Sequence, residues 1–298
     1  MKVLVGWILL SIFAKIFIHI DVCHFENQNL INMNILCPTD FSEHSLLALD
    51  YAIDLSNKLG ARLHLITAYS VPRSTGSFRS LDDSIRESVG EELGELVNVV
   101  LPKISTGITP EYHIMEGNSG RVITQFAAAN DIDIVVMGTQ GKGSLSNLFI
   151  GSVAKKVFEN SSVPVIAIPA SFREGIDKNK IVLALDEKVI SNENNYKFLS
   201  NFVKNYGATL DIYHLLKPSE TLPFTHEAID RFKDILGEVV TESGDEVVSS
   251  IRNYLDNTHT GMLVMVRRPH SFWSKLFTDS STTAQLAATK VPIMILPE

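Results

Sequence analysis

Val163-Pro164-Val165-Ile166-Ala167-Ile168-Pro169 recurs 128 residues later as Val291-Pro292-Ile293-Met294-Ile295-Leu296-Pro297. A short, uniformly apolar run bounded by prolines reads as a buried strand. The same ungapped offset lays Ile134-Val135-Val136-Met137 over Met262-Leu263-Val264-Met265, and Leu148-Phe149 over Leu276-Phe277. At the other end, Ile35-Leu36-Cys37-Pro38-Thr39-Asp40 matches Ile181-Val182-Leu183-Ala184-Leu185-Asp186, an apolar strand ending in Asp, at an offset of 146. The chain is therefore read as an internal duplication whose second copy is shorter in its middle.

Working outward through the first copy, strand-like runs near 34–38, 62–69, 110–115, 133–137 and 164–168 alternate with stretches of helical period. Residues 42–59 place Leu46, Leu49, Ile53 and Leu55 near one face and stop at Gly60; 82–101 reads as a second helix. A third, 118–130, has Asn118 or Ser119 as cap and turns Val122, Ile123, Phe126 and Ala127 inward, and 152–160 begins a fourth. In the second copy, helices are expected over 191–206, 225–236 and 244–256. The expected class is α/β: two tandem Rossmann-like doubly wound domains, each a five-stranded parallel sheet of order 3-2-1-4-5. Residues 33–170 form the first domain, the polar stretch 171–178 a linker, and 179–298 the second domain. The apolar final strands Val165–Ile168 and Ile293–Leu296 would be hazardous as exposed edges, so they are expected to pair with each other and make an intramolecular pseudo-dimer.

Bulk composition narrows the function classes. In 298 residues, 45% apolar content with 20% charge supplies two packed cores. A net charge of −8 speaks against nucleic acid as partner, since phosphate-backbone affinity needs a Lys/Arg surplus. The two cysteines, Cys23 and Cys37, form neither a disulfide framework nor a zinc motif, which fits a reducing, cytoplasmic setting, with Cys37 a small buried hydrophobe. Residues 1–32 stand apart: Val3 to Ile20 is an apolar run broken by Gly6, Ser11, Lys15 and His19. Three readings stay open for it: translation beginning at Met33, a membrane anchor through residues 3–20, or a secretory signal that lacks an A-x-A-like cleavage site.

The chemistry-bearing segment follows the fourth strand: Gly138-Thr139-Gln140-Gly141-Lys142-Gly143-Ser144, then Gly151-Ser152 at the next helix start. Glycines let exposed backbone amides approach an oxyanion, and a helix N-terminus adds its positive dipole end. The spacing is that of neither G-x-x-x-x-G-K-[ST] nor a strand-one G-x-G-x-x-G, so the segment is not a P-loop or a dinucleotide fingerprint. A plain surface loop remains the structural alternative.

The pattern G-x2-G-x9-G-[ST], carried by Gly138, Gly141, Gly151 and Ser152, resembles the ATP-binding signature of the universal stress protein family. Pro38-Thr39-Asp40-Phe41-Ser42 after the first strand and Val163-Pro164-Val165 before the last are similar to that family's ends, so the resemblance is strong over 33–169 and weaker over 181–297. It implies ATP as ligand, with Mg or Mn as its metal, and no dedicated metal site. Asp40 would bond ribose or metal-side oxygens while Pro38 and Thr39 shape the pocket. Ala68 would offer backbone groups to adenine, Met137 and Gly138 would flank the nucleotide, and Gln140, Gly141, Gly151, Ser152 and Val153 would wrap the phosphates. Asp40 has a second reading, as N-cap of the helix after Phe41.

The second copy departs from this pattern. Val266, Pro269, Asp279 and Ser280 stand opposite Gly138, Gly141, Gly151 and Ser152. Proline removes an amide donor and Asp279 brings like charge to a phosphate position, so triphosphate binding there is not expected. The replacement, Arg267-Arg268-Pro269-His270-Ser271-Phe272-Trp273, reads as a solvated loop with tucked aromatics or as a docking segment. No nucleophile–base pair is visible, and His64, His113 and His214 fall in separate strands as residues that do not converge. The expected protein is a regulatory ATP binder with at most slow hydrolysis and no catalytic residues, held as a pseudo-dimer or further as a homodimer. The rival is a non-nucleotide scaffold of the same fold.

Overall fold

The computed structural model describes residues 33–71, 78–142, 150–173, 179–185, 190–216, 225–243, 247–258, 260–268 and 289–298. The apolar run from Val3 to Ile20 lies outside these. Among the described residues no helix is long and apolar enough to cross a membrane.

The first half runs β1 (Asn34–Pro38), α1 (Glu43–Leu59), β2 (Arg62–Tyr69), α2 (Phe78–Val100), a 3-10 turn (Leu101–Lys103), β3 (Glu111–Glu116), α3 (Ser119–Ala129), β4 (Ile134–Gly138), α4 (Ser152–Asn160) and β5 (Val165–Ile168). The second half runs β6 (Lys180–Leu185), α5 (Glu193–Tyr206), β7 (Thr209–Leu216), α6 (Thr225–Phe232), β8 (Leu236–Ser243), α7 (Val247–Thr258), β9 (Met262–Arg267) and β10 (Ile293–Pro297). Where residues 225–236 are read as one helix, α6 ends at Phe232 and the chain enters β8 at Leu236. The β-branched Val239-Val240-Thr241 pull this segment into a sheet pairing with β7.

All ten strands join one sheet in the order β3-β2-β1-β4-β5-β10-β9-β6-β7-β8. Each half keeps the order 3-2-1-4-5 and is parallel within itself, as at β1–β2 and β4–β5 in the first half and β6–β7 and β9–β10 in the second. The two halves are not separate five-stranded sheets, however. They fuse into one mixed sheet where β5 meets β10 antiparallel, with Val165 opposite Ile295, Ile166 opposite Met294 and Ala167 opposite Ile293. All six side chains are buried. Each strand would otherwise present an apolar edge with unpaired amides, and their pairing removes both edges at once.

Local sequence explains how the helices sit. Ser42 caps α1 by accepting from the Ser45 N–H, and Gly60 ends it in the left-handed region at φ 64°. Ala48, Leu49, Ala52, Ile53, Leu55 and Leu59 face the sheet, whereas Leu46, read from the sequence as part of that stripe, is 37% exposed. Leu46 lies one position beyond the buried Ser45 and so turns off the stripe. Asn118 caps α3 by accepting from the Arg121 N–H.

Contacts beyond the strands hold the linker stretch on the first half and tie the two halves together. Phe172, within the stretch read as polar linker, is buried and meets Tyr51 edge-on at 5.7 Å; residues 174–178 lie outside the described set. The Lys58 ammonium on α1 lies 4.2 Å from the ring centre of Tyr206 on α5. Arg267, at the end of β9, donates to Phe158 O at 2.7 Å and Ser161 O at 2.8 Å. These carbonyls close α4, so the guanidinium serves as a C-terminal cap supplied by the other half.

The register between β2 and β3 also corrects the reading of the histidines. His64 stands opposite Glu111 and Ile66 opposite His113, so His64 and His113 share one face two residues apart. Separate strands become neighbours, and the rings lie 5.6 Å apart. Cys37 is fully buried, and burial pushes its thiol up to about 12.

Two outcomes are expected. Arg267→Ala, which strips two charge-assisted bonds from α4, should lower urea-unfolding stability by about 2–3 kcal/mol. Cys37 should resist a thiol reagent in native buffer and react fully once the chain is unfolded in denaturant.

Candidate functional site

A cavity of about 320 Å³ opens at the carboxyl ends of β1, β2 and β4, between β1 and β4, where the strand order reverses. That is where ligands of open α/β sheets bind. Its wall contains every site residue read from the sequence: Pro38, Thr39, Asp40, Ala68, Met137, Gly138, Gln140, Gly141, Gly151, Ser152 and Val153. Residues 143–149 lie outside the described set, so the glycine loop is followed only as far as Lys142.

The sequence reading missed six lining residues: Ser45, Ile66, Ser119, Ile123, Lys142 and Ala154. Ser119 and Ile123 come from α3, which starts just past the carboxyl end of β3. The cap at Asn118 was visible in the sequence and placed a second helix start at the same sheet edge. What it did not show is that α3 leans over the crevice.

Asp40 is the most constrained group in the wall. Its Oδ1 accepts from the Ser42 N–H at 3.1 Å and the Ser42 hydroxyl at 2.6 Å, while Oδ2 accepts from the Lys142 N–H at 2.7 Å. Ser42, not Asp40, caps α1, so the N-cap reading of Asp40 is set aside. Burial alone would raise the Asp40 carboxyl. The hydrogen bonds from Ser42 and the Lys142 amide outweigh it and hold the group below its ordinary range, ionised at neutral pH. An ionised carboxylate only accepts, which suits it to hydroxyl donors or a cation. Phe41, the next residue, is left-handed at φ 60°, and its N–H donates to Thr39 Oγ1 at 3.0 Å. A bulky residue in that region is a strained turn held by its surroundings.

The three glycines have different physical reasons. A β-carbon at Gly138 would lie 2.8 Å from His44 O, and one at Gly141 would lie 2.5 Å from Asp40 Oδ2, so both are required by the protein's own packing. At Gly151 the nearest atom would be Thr139 O at 3.5 Å, an ordinary contact. Its φ of −62° suits any residue, and it caps α4 with no side-chain bond. No clash among the described residues requires glycine there; a glycine N-cap also leaves room for close approach from the cavity side. The first turn of α4 carries no acidic residue, so the amides at Ser152, Val153 and Ala154 point a positive end into the cavity. The wall thus fits an anionic group at α4 and hydroxyls at Asp40.

The second half is built otherwise at the equivalent place. Arg268, which stands opposite Gln140 at the offset of 128, is buried and its guanidinium is paired with the Glu298 carboxylate, Nη2 to Oε1 measuring 3.3 Å. The Ser191 N–H also donates to Glu298 Oε1 at 3.0 Å, and its hydroxyl bonds the same oxygen. Arg267 and Arg268 are therefore structural, not solvated. Pro269, Phe272, Trp273, Asp279, Ser280 and Asp186 lie outside the described residues.

Comparison with known proteins agrees with this geometry. A family model described as the universal stress protein family matches residues 32–169. The chain is 27% identical over 154 residues to universal stress protein MJ0531 of Methanocaldococcus jannaschii, covering 50% of this chain and 89% of that one. It is 30% identical over 137 residues to a Thermus aquaticus universal stress protein named from the QAH/OAS sulfhydrylase 3' region, covering 45% of this chain and 96% of that one. The crystal structure of a universal stress protein from Archaeoglobus fulgidus shares the fold across both halves, with TM-score 0.68 at 20% identity, covering 91% of this chain and 98% of that one.

Gly141→Ala should cost about 1–3 kcal/mol in urea unfolding through its clash with Asp40, while Gly151→Ala, which meets no clash and changes only the helix cap, should cost less than about 1 kcal/mol. Because the Asp40 carboxyl is depressed on folding, its contribution is full above the ordinary range near 3.8 and is lost as pH falls through the folded value. Stability measured between pH 5 and about 3 should fall less steeply in Asp40→Asn than in the wild type.

Proposed function

The chain belongs to the universal stress protein family, and from that premise we propose that its first half binds ATP as a regulatory ligand while the second half does not. The observation carrying this reading is Gly151. Among the described residues no clash requires this glycine, and it is the N-cap, without a side-chain cap bond, of a helix that opens into the cavity. The phosphates would lie against the amides of Gly141, Ser152 and Val153, as anions do at helix N-termini. The ribose hydroxyls would donate to Asp40, and adenine would enter past Ala68 and Met137 between the apolar walls. A Mg or Mn ion accompanying the triphosphate would offset the negative charge of Asp40.

This reading assigns the chain no more than slow hydrolysis. Among the described lining residues the ionisable side chains are Asp40 and Lys142. Asp40 is ionised and engaged by two amides and a hydroxyl, which suits binding rather than proton abstraction. A regulatory ATP binder of this kind needs a cytoplasmic nucleotide pool. The second reading, a scaffold without nucleotide, is favoured by the β5–β10 pairing, which joins two α/β halves without any ligand.

Calorimetric titration with ATP separates the two. One site per chain is expected, abolished in Gly151→Val with unfolding stability retained, and weakened at least about tenfold in Asp40→Ala. No heat from the wild type, or unaltered binding in Gly151→Val, would favour the scaffold. Steady-state turnover well above trace would overturn the non-enzymatic assignment.

A further inference from the structure

Among the described residues, His64, Glu111 and His113 bring ligand atoms within 4.8 Å of one another. We propose that this trio on the β2–β3 edge is a divalent transition-metal site, of the zinc class, separate from the nucleotide cavity.

His64 Nδ1 lies 3.3 Å from His113 Nε2 and 3.7 Å from Glu111 Oε2. Two ligands each about 2.0–2.1 Å from a tetrahedral zinc ion stand about 3.3–3.4 Å apart. The nitrogen pair already has that separation, and it is longer than the usual 2.9–3.0 Å of a direct N–H bond. Coordination asks the rings to tilt off the line joining their nitrogens. Edge strand β3, which carries half-buried His113 and half-exposed Glu111, leaves room for that.

His64 Nε2 faces Asn34 Oδ1 at 3.4 Å, and Asn34 Nδ2 donates to Asp131 O at 2.9 Å, which fixes the amide with its oxygen toward the ring. His64 therefore carries its proton on Nε2 and leaves the Nδ1 lone pair toward His113. A metal-bound imidazole is held by such an outer acceptor. Phe126 covers His113 from α3 with ring centres 4.5 Å apart, giving the site an apolar wall, while Glu111 stands at its solvent side. Two imidazoles with one carboxylate, and a fourth position left to water, is a donor set that zinc accepts.

His64, Ile66 and Ala68 alternate along one face of β2, so His64 and Glu111 opposite it lie about 13 Å upstream of Ala68, and His113, opposite Ile66, about 7 Å upstream; none of the three lines the cavity. The experiment is titration of the metal-stripped full chain, without nucleotide, with Zn2+ by calorimetry and with Co2+ by visible absorption. One site per chain is expected, with the intense d–d bands of tetrahedral cobalt. Glu111→Gln and His113→Gln, both at positions with solvent access, should each weaken binding by more than about tenfold while keeping the circular dichroism of the wild type. Asn34→Ala should weaken it about 10–100-fold. Asp40→Asn, in the cavity, should leave it unchanged. Absence of binding to the wild type, equal affinity in the Glu111 and His113 variants, or loss in Asp40→Asn would each overturn the proposal. None of these outcomes depends on whether ATP binds.

Discussion

The antiparallel pairing of β5 with β10 is the constraint on which the rest of the molecule depends. Each half winds outward from its first strand and ends on a short, wholly apolar strand that cannot face water. One partner of the right length and composition is supplied by the duplication itself. The strands are identical in role and meet antiparallel, so parallel strands on the two sides of the seam run in opposite directions. The carboxyl ends of β1 and β4 and those of β6 and β9 therefore open at opposite ends of the sheet.

The same geometry explains what the second half contributes. Because the seam is antiparallel, the carboxyl end of β9 arrives beside the amino end of β5, where α4 finishes. Arg267 then caps carbonyls of α4 at Phe158 and Ser161. The amino end of that same helix opens into the cavity. A cation at one end and exposed amides at the other both act along one nine-residue helix, so the half without a glycine cradle still supports the half that has one.

Much of this was legible in the sequence because the signals are local. The 128-residue offset fell on the observed strands β4 with β9 and β5 with β10, and the glycine spacing led to residues that share one wall. Helix α4 began at Ser152 as read, since a glycine before a helical run is a start signal. The failures are the long-range ones. Leu236 closed a helical pattern but entered β8, because pairing with β7 outweighs local period. Phe172 sat in a polar stretch yet packs against Tyr51 of α1, about 120 residues earlier in the chain. His64 and His113 are 49 residues apart, and only the strand register makes them neighbours. The glycines show the same limit within the site: the sequence lists Gly138, Gly141 and Gly151 as equals, and only the distances to His44 O, Asp40 and Thr139 O separate those that serve packing from the one that serves access.

The contrast between the crevices can be stated in terms of charge. In the second half the Glu298 carboxylate is bound by Arg268 and Ser191, and although burial would raise its carboxyl, those partners hold it below its ordinary range. An internal anion is thus already seated among the donors at that end of the sheet. In the first half the internal anion is Asp40; among the described residues it takes the Lys142 amide of the loop, while the start of α4 has no side-chain cap bond. An incoming phosphate would meet repulsion from Asp40 and attraction from α4. On the proposed reading, the ligand would place its hydroxyls near the acid and its negative charge near the helix, with a cation between them if the charge is large. A nucleoside triphosphate has that polarity along its length, and a bare phosphate does not.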